Sequence, residues 1–534
     1  MRSTFMGLET AKRSLFAHQT AMQTAGHNIA NANTKGYTRQ TVTLTAAKPI
    51  EAVGMTHSTA VGQIGQSVEV TSVRRIREKF LDDQFITENK NLGEWQVRKD
   101  TMDKLEAIIN EPSDTGIRQV IEGFWNAWQE LSKTPENMTA RVLVKERAIA
   151  LTDAFNHTGR QLRDLSDDIT NSIGVDVNQI NSIAGQITSL NYEIVRVEGL
   201  GDRANDLRDQ RDLLIDDLSK LINIRVTEEP GGYRVQMGNT VLAAPGEDPA
   251  VLTVEDIEMA KTTGDLTGGE VFGMLHSRDV HIANYRYQLD LMVKGIAEGD
   301  MKVTLPAGTV IPDGTTLVSG STSTTYSGSV ADRTLAADME ITVKGLNGLH
   351  ALGYSATNNQ APGAGIPFFT SSAADGSWTA ETFSVNADIL ADVTKVASSM
   401  RTYVDADGNE RLVQGNNSLA LLMASARDQK LNFEALGSSS GLSVLSGGSF
   451  SEFFQAIVGE LGVQSQEASR QFVNQQVLVE QVDSRRQSVS GVSLDEEMAD
   501  LIKYQHSYNA AARVMTTVDE MLDRIINSMG LVGR

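Results

Sequence analysis

The stretch LETAKRSLFAHQTAMQTAGHNIANANTKGYTRQ (residues 8–40) combines two patterns that seldom follow one another so closely. Leu8, Leu15, Met22 and Ile29 recur every seven residues, and Ala11, His18, Ala25 and Ala32 sit three positions after each. That spacing puts one apolar seam along a helix running from Ser3 to about Ala32. Polar punctuation then takes over, with Asn28, Asn31 and Asn33 followed by a Gly36–Tyr37 pair and Arg39. Asparagine side chains bond to nearby backbone and tolerate left-handed conformations, and Gly36 lets the chain turn, so the stretch reads as a helix with a built-in stop.

The far end of the chain mirrors this pattern. Leu501, Tyr508, Met515, Leu522 and Met529 recur by seven, with Tyr504, Ala511, Val518 and Ile525 three positions on. Residues 1–40 hold five bases and one acid, a balance of +4, whereas residues 494–534 hold seven acids and four bases, a balance of −3. Opposite charge and matched seams predict that the two ends meet as coiled-coil partners. Their few large anchors set little apolar burial against the entropy of ordering two long helices. Phe5, Phe16, Ile502, Met521 and Ile526 lie outside the strict seam, so other subunits are expected to cover them, and an isolated chain is expected to hold its termini loosely.

Composition narrows the function. The 534 residues exceed one compact core, and 47 bases against 68 acids leave a net charge of −21. That acidity argues against nucleic acid or an anionic membrane as partner. Cysteine is absent, which removes disulfides, thiolate metal sites and a cysteine nucleophile. No segment has the length and apolarity of a membrane span, and Glu9, Lys12 and Arg13 interrupt any secretory leader, so an exported chain would need a route without a cleaved signal.

Between the ends, QTVTLTAAKPI and GQSVEVTSVRRI read as strands, and residues 77–224 as mostly helix with stops at NEPSDTG and KTPEN. Phe124, Trp125, Trp128 and Leu131 share one helix face and are expected in the core. IRVTEEPGGYRVQMGNTVLA predicts a hairpin turning at Pro230–Gly232, and helix returns over 271–299. MKVTL, TTLVS and MEITVK are strand-like, LNGLHALGYSATNNQAPGAGIPFFTS is loop-like, and TYVDADGNERLV predicts an Asp-Gly hairpin. Helices resume from Ser418, interrupted by the Ser/Gly stretch 437–449. The expected fold is therefore mainly α with inserted β domains, a multidomain α+β chain. Terminal coiled-coil helices span 1–36 and 494–534, and a discontinuous helical domain spans 37–224, 269–300 and 386–493. A β insertion domain takes 225–268 and 345–385, and an extra small β module takes 301–344.

The search for chemistry finds little. There is no phosphate-binding glycine-lysine loop and no His-Glu-x-x-His, and VGQIGQS lacks the third glycine of a dinucleotide fingerprint. The Asp405 hairpin lacks the ligand order of a calcium loop. Asp206, Asp209, Asp212 and Asp216 alternate with Arg208 and Arg211. Carboxylates so spaced could serve acid–base work or hold a cation, but opposite charges three and four apart read first as a solvated, salt-bridged helix face. No catalytic residue, cofactor or metal ligand is assigned, and His18 is read as packed in the seam. Two carboxylates of an extracellular glycan-active enzyme remain the alternative from another class, needing a cleft that sequence does not reveal.

ANANTKGYTRQ after an N-terminal heptad helix resembles the signature of bacterial flagellar axial proteins, the rod, hook and hook-associated family. LDEEMADLIKYQHSYNAAARVMTTVDEMLDRIINSMG looks like its C-terminal counterpart. The helical pieces EPSDTGIRQVIEGFWNAWQELSKTPEN and ANDLRDQRDLLIDDLSKL resemble the hook-associated branch that forms the first hook–filament junction, rather than a hook or rod protein, which is the runner-up. The resemblance implies an assembly role for Asn28, Asn31, Asn33, Gly36, Tyr37 and Arg39, and for Leu501, Tyr504, Tyr508, Asn509, Ala511 and Met515. Seam spacing adds Leu8, Leu15, Met22, Ile29, Val518, Leu522 and Ile525. The resemblance also implies a non-catalytic homo-oligomeric ring on the extracellular flagellum. Its partners would be the hook protein, the second junction protein (hook-associated protein 3) and a cytoplasmic export chaperone at the C-terminal region. No role is implied for residues 301–344.

Overall fold

The structure, a computed structural model, describes residues 5–49, 65–109, 116–320, 322–356, 362–437 and 444–528. The expected break at NEPSDTG and the seam residue Met529 fall largely outside those residues. In chain order the principal elements are α1 (Met6–Ala30), β1 (Gln40–Ala46), β2 (Val68–Arg75), α2 (Lys79–Ile109), α3 (Ile117–Lys133), α4 (Met138–Glu198) and α5 (Asn205–Leu221). Strands β3 (Arg225–Glu229), β4 (Gly232–Met237) and β5 (Thr240–Ala243) follow, then α6 (Val254–Thr263), α7 (Glu270–His276) and α8 (Ala283–Glu298). Strands β6 (Asp300–Leu305), β7 (Thr315–Ser319), β8 (Thr322–Tyr326) and β9 (Met339–Lys344) precede short ladders, and the chain closes with α9 (Phe450–Ser490) and α10 (Leu494–Ser528). This is the expected class, helices interrupted by small separate sheets.

The chain forms two compact units. One comprises Met1–Gln96, Ile173–Gly273 and Phe472–Arg534, the other Val97–Ser172 and Met274–Gln471. Most of these divisions fall inside α2, α4 and α9, where composition does not change.

In the first unit α1 packs along α10. Gly7 faces Val518, the His18 ring meets Tyr504, and Asn28 bonds Glu497, so the helices run antiparallel. The fully buried residues of α1 are small, Ala11, Ala17, Ala21 and Ala25, together with Asn28. Strands β1 and β2 pair antiparallel with one irregularity at Thr43/Leu44 and lie against α1. Strands β3–β5 form a meander, and its first turn is Pro230–Gly231 with Gly231 at φ 103°.

In the second unit the aromatic face of α3 is core as expected. Phe124, Trp125 and Trp128 are buried against Phe368, Phe369 and Phe450. Three features differ from the sequence reading. Helical residues 271–299 contain a π-helical segment at Ser277–Ile282, joining α7 to α8. Strand β8 is composed of Thr, Ser and Tyr with no apolar alternation, yet it pairs with β7 over five residues. The stretch read as loop contains a helix at Gly345–Ala351 and strands at Tyr354–Ala356, Pro362–Ala364 and Phe369–Ser371. Glycine there allows close packing: Gly345 sits at φ 58°, and a Cβ would lie 2.2 Å from Ala297 backbone.

Two histidines make this unit acid-sensitive. His350 Nδ1 lies 2.5 Å from the Ile366 carbonyl oxygen and Nε2 accepts the Ala397 N–H at 2.9 Å, so the fold requires the neutral ring. Burial pushes its pKa down to about 4, and burial with the Arg98 charge does the same to His281. Below the ordinary histidine range the unfolded chain takes up these protons and the folded chain does not, so stability falls between pH 6.5 and 4 at about 1.4 kcal/mol per pH unit per fully buried ring. Asp290, pushed up to about 6 by burial, works in the opposite sense and offsets one histidine. The His350 contribution is therefore expected to weaken as pH falls from 7 to 4. His350→Gln, whose amide can serve both partners, should flatten denaturant-midpoint profiles over that range.

Candidate assembly site

The asparagine-rich stop closes α1 by local bonds. Asn31 returns its backbone N–H and its side-chain Nδ2 to the His27 carbonyl, both at 3.1 Å, while its Oδ1 accepts from the Thr34 hydroxyl. Gly36 turns at φ 82° against Leu213 of α5, where a Cβ would come within 3.2 Å of that side chain.

Asn28 is the centre of the site, 1% exposed. Its Nδ2 donates to the Gln40 carbonyl at 2.8 Å and to Glu497 Oε2 at 3.0 Å, while its Oδ1 accepts from the Tyr37 hydroxyl at 2.8 Å and the Gln40 N–H at 3.0 Å. Two donors and two acceptors exhaust the amide. Arg39 then clasps the start of α10, Nε to Glu497 at 2.7 Å and Nη1 to Glu496 at 2.8 Å, and its N–H reaches the Ser490 carbonyl. These carboxylates also sit in the first turn of α10, where the helix dipole favours negative charge. Tyr37 is half-buried, and burial together with Asp206, Asp209 and Glu497 pushes its hydroxyl pKa up, so it stays a proton donor.

The charged face of α5 corrects the expectation of a solvated surface. Asp209, Arg211 and Asp212 are buried. Their neighbours along the helix are not the main partners. Arg75 binds Asp209 at 2.6 Å and Asp212 at 2.7 Å, Arg77 binds Asp212 at 2.5 Å and Asp82 at 2.6 Å, and Arg486 binds Asp216 at 2.8 Å. Asp209 also accepts the Thr38 N–H, and Asp206 accepts from Gln40 Nε2. Arg211 stacks 3.5 Å over the Tyr233 ring and bonds Asn191. Burial raises the Asp209 pKa against the pull of Arg75, and pushes that of Asp216 up to about 6 against Arg486. Arginines occupy these carboxylates, so the cluster ties α5 to β2, α2 and α9. Among the described residues no group of three or more His, Cys, Asp or Glu could hold a metal.

The other sequence-selected residues divide by face. Leu8, Leu15, Met22, Ile29, Leu501, Tyr504, Tyr508, Met515 and Val518 are half-buried, and Ala511 and Leu522 are buried. Asn33, Asn509 and Ile525 are exposed. Glu496, Glu497, Gln40 and Arg75 were not among the expected site residues, and Asp209 was read only as part of a solvated helix face; the opposite charge of the two ends was the one signal that pointed to Glu496 and Glu497. Phe5, Phe16, Met498, Ile502, Val514 and Met521 present large apolar surface, each more than half exposed.

Residues 102–299 match the flagellar hook-associated protein FlgK helical domain, residues 8–38 the flagella basal body rod protein family, and residues 484–529 the flagellar basal body rod FlgEFG protein C-terminal family. Flagellar hook-associated protein 1 of Bacillus subtilis (strain 168) is 33% identical over 545 residues, covering 100% of both chains. The Escherichia coli (strain K12) protein of that name is 27% identical, covering 97% of this chain and 99% of its own. A solved structure of the flagellar hook junction protein FlgK from Burkholderia pseudomallei aligns with 76% of this chain and 100% of its own, at 14% identity and a TM-score of 0.49. Full-length identity to the first of these, with the helical-domain and both terminal matches in the expected order, shows that the chain belongs to the flagellar hook-associated protein 1 family, structural components of the bacterial flagellum.

Proposed function

We propose that the chain assembles as a ring at the tip of the hook, joining the hook protein below to hook-associated protein 3 and the filament above. Its work is mechanical and involves no catalysis. The terminal segments 1–36 and 494–534, which contain α1 and α10, form the axial domain through which copies pack. The observation that carries this reading is the uneven burial of α1 and α10. Their contact in one chain buries mainly alanines, whereas Phe16, Met498, Ile502, Val514 and Met521 are each more than half exposed. Large apolar side chains left exposed on the terminal helices mark surface suited to packing against other copies. A self-repelling chain of net charge −21 with few large anchors suits passage through the export channel unfolded and ordering on assembly, with a chaperone holding the C-terminal region before export.

Deletion of the gene tests the reading. Hooks of normal length with filament subunits shed into the medium are the expected result, and normal filaments in the mutant would overturn it. Another axial role, in hook or rod, is disfavoured by the FlgK helical-domain match over 102–299. A glycan-active enzyme would need a carboxylate pair free to react, and Asp209 and Asp212 are held by arginines. Release of sugar from cell-wall glycan by the purified chain would revive that alternative.

A further inference from the structure

We propose that the open cavity beside α8, the helix Gly345–Ala351 and the strand Phe369–Ser371 binds a short neutral saccharide, with Trp378 as the surface on which a sugar ring lies. The cavity has a volume of about 1010 Å³, and its lining falls within residues 294–436, inside the second unit. That is the upper end of the range for small-molecule sites, and it accommodates several linked sugar rings. A pyranose presents an apolar C–H face and a girdle of hydroxyl groups. Its site must therefore pair a flat apolar surface with hydrogen-bonding groups at the edge. Trp125 and Trp128 are spent in the core, but Trp378 is half-buried and lines the cavity with Pro367 and Leu436. Phe383 props it edge-on, with ring centroids 6.4 Å apart.

The polar lining is mostly committed. Lys344 pairs with Asp300 at 2.6 Å, and Lys294 donates to the Leu436 carbonyl at 2.9 Å. Glu298, exposed at the end of α8, is left as an acceptor. Asn432 accepts the Ala435 N–H through Oδ1 at 3.1 Å, which leaves Nδ2 as a donor. Two bases and two acids line the cavity, so its charge sums to zero and favours neither a polyanion nor a polycation. A second feature opposes a peptide added as a strand. The Asn347 side chain donates to the Phe369 carbonyl at 3.0 Å and accepts the Phe369 N–H at 2.7 Å, so it already covers the edge where an incoming backbone would pair. Cleavage of a glycoside needs two carboxylates, and with Asp300 on Lys344 only Glu298 is left, so the saccharide is held and not cut.

The test is saturation-transfer NMR on the full-length chain, titrated with cellotetraose, maltotetraose and chitotetraose and, for contrast, with the anionic tetragalacturonate. Saturable binding of at least one neutral tetramer, stronger than that of the anion, is the expected result. Trp378→Ala should weaken it about tenfold, Trp378→Phe less because a flat ring remains. Glu298→Gln should weaken it about threefold. Ala435 is an exposed lining residue, so Ala435→Trp obstructs the cavity without removing a bonded side chain. That variant should lose binding with its thermal midpoint unchanged, which separates the site from any folding defect in Trp378→Ala. Failure of all three neutral tetramers at millimolar concentration, preference for the anion, or binding that survives Ala435→Trp overturns the proposal. Binding by the dispersed chain requires no ring, so its failure leaves the junction role intact. Normal filaments in a deletion strain would likewise leave this inference intact.

Discussion

Replacing Asp212 by alanine is expected to cost about 3–5 kcal/mol, the range seen when one partner of a buried ion pair is removed. Its carboxylate takes Nη1 of both Arg75 and Arg77, and all three side chains are at most about one-fifth exposed. Without it each guanidinium keeps a single carboxylate, Asp209 for Arg75 and Asp82 for Arg77, and the donors that Asp212 satisfied are left without an acceptor out of water. Asp217→Ala is the contrasting variant. Its link to Lys35 spans 3.5 Å with both side chains largely exposed, so its loss should stay within about 0.5 kcal/mol. Denaturant unfolding of the two variants, with hydrogen exchange on β1, β2 and α5, separates them. Equal small effects would mean that the α5 carboxylates are solvated after all.

That contrast shows where sequence reading stops. Asp209, Asp212 and Asp216 lie within a few residues of Arg208 and Arg211, so the helix looks electrically self-sufficient. The partners that bury it, Arg75, Arg77 and Arg486, lie 134, 135 and 270 residues from their carboxylates. No local pattern encodes that distance. The long helices were legible because apolar spacing of about 3.5–3.6 residues is local, as were the Asp407-Gly408 and Pro230-Gly231 turns. Strand β8 was not, because an all-polar strand carries no alternation to read. The π-helical segment at Ser277–Ile282 was equally hidden, since a slight widening of the turn barely disturbs apolar spacing. At the assembly site the sequence showed that Asn28 ends a helix, but not that Glu497, 469 residues on, completes its amide.

That completion makes Asn28→Ala the second large effect we expect, about 3–4 kcal/mol. The change deletes four hydrogen bonds, one of them to a carboxylate, and leaves the Gln40 N–H and carbonyl without partners in a buried place. Because the α1–α10 seam buries mainly alanines, it has little apolar contact in reserve to absorb such a loss. Asn28→Asp should be at least as damaging, since it sets a second carboxylate 3.0 Å from Glu497 Oε2 and another acceptor against the Gln40 carbonyl. Combining it with Glu497→Gln puts an amide donor opposite the new carboxylate, and Arg39 retains Glu496, so that double variant should recover part of the loss. Thermal unfolding with hydrogen exchange on α1 gives the energetic reading. Complementation of a deletion strain gives the functional one: Asn28→Ala should export and yet shed filament subunits, because α1 would reach the junction without its anchor to α10. A variant that keeps full protection in α1 would show that the seam alone holds the termini together, and that the asparagine is only a helix stop.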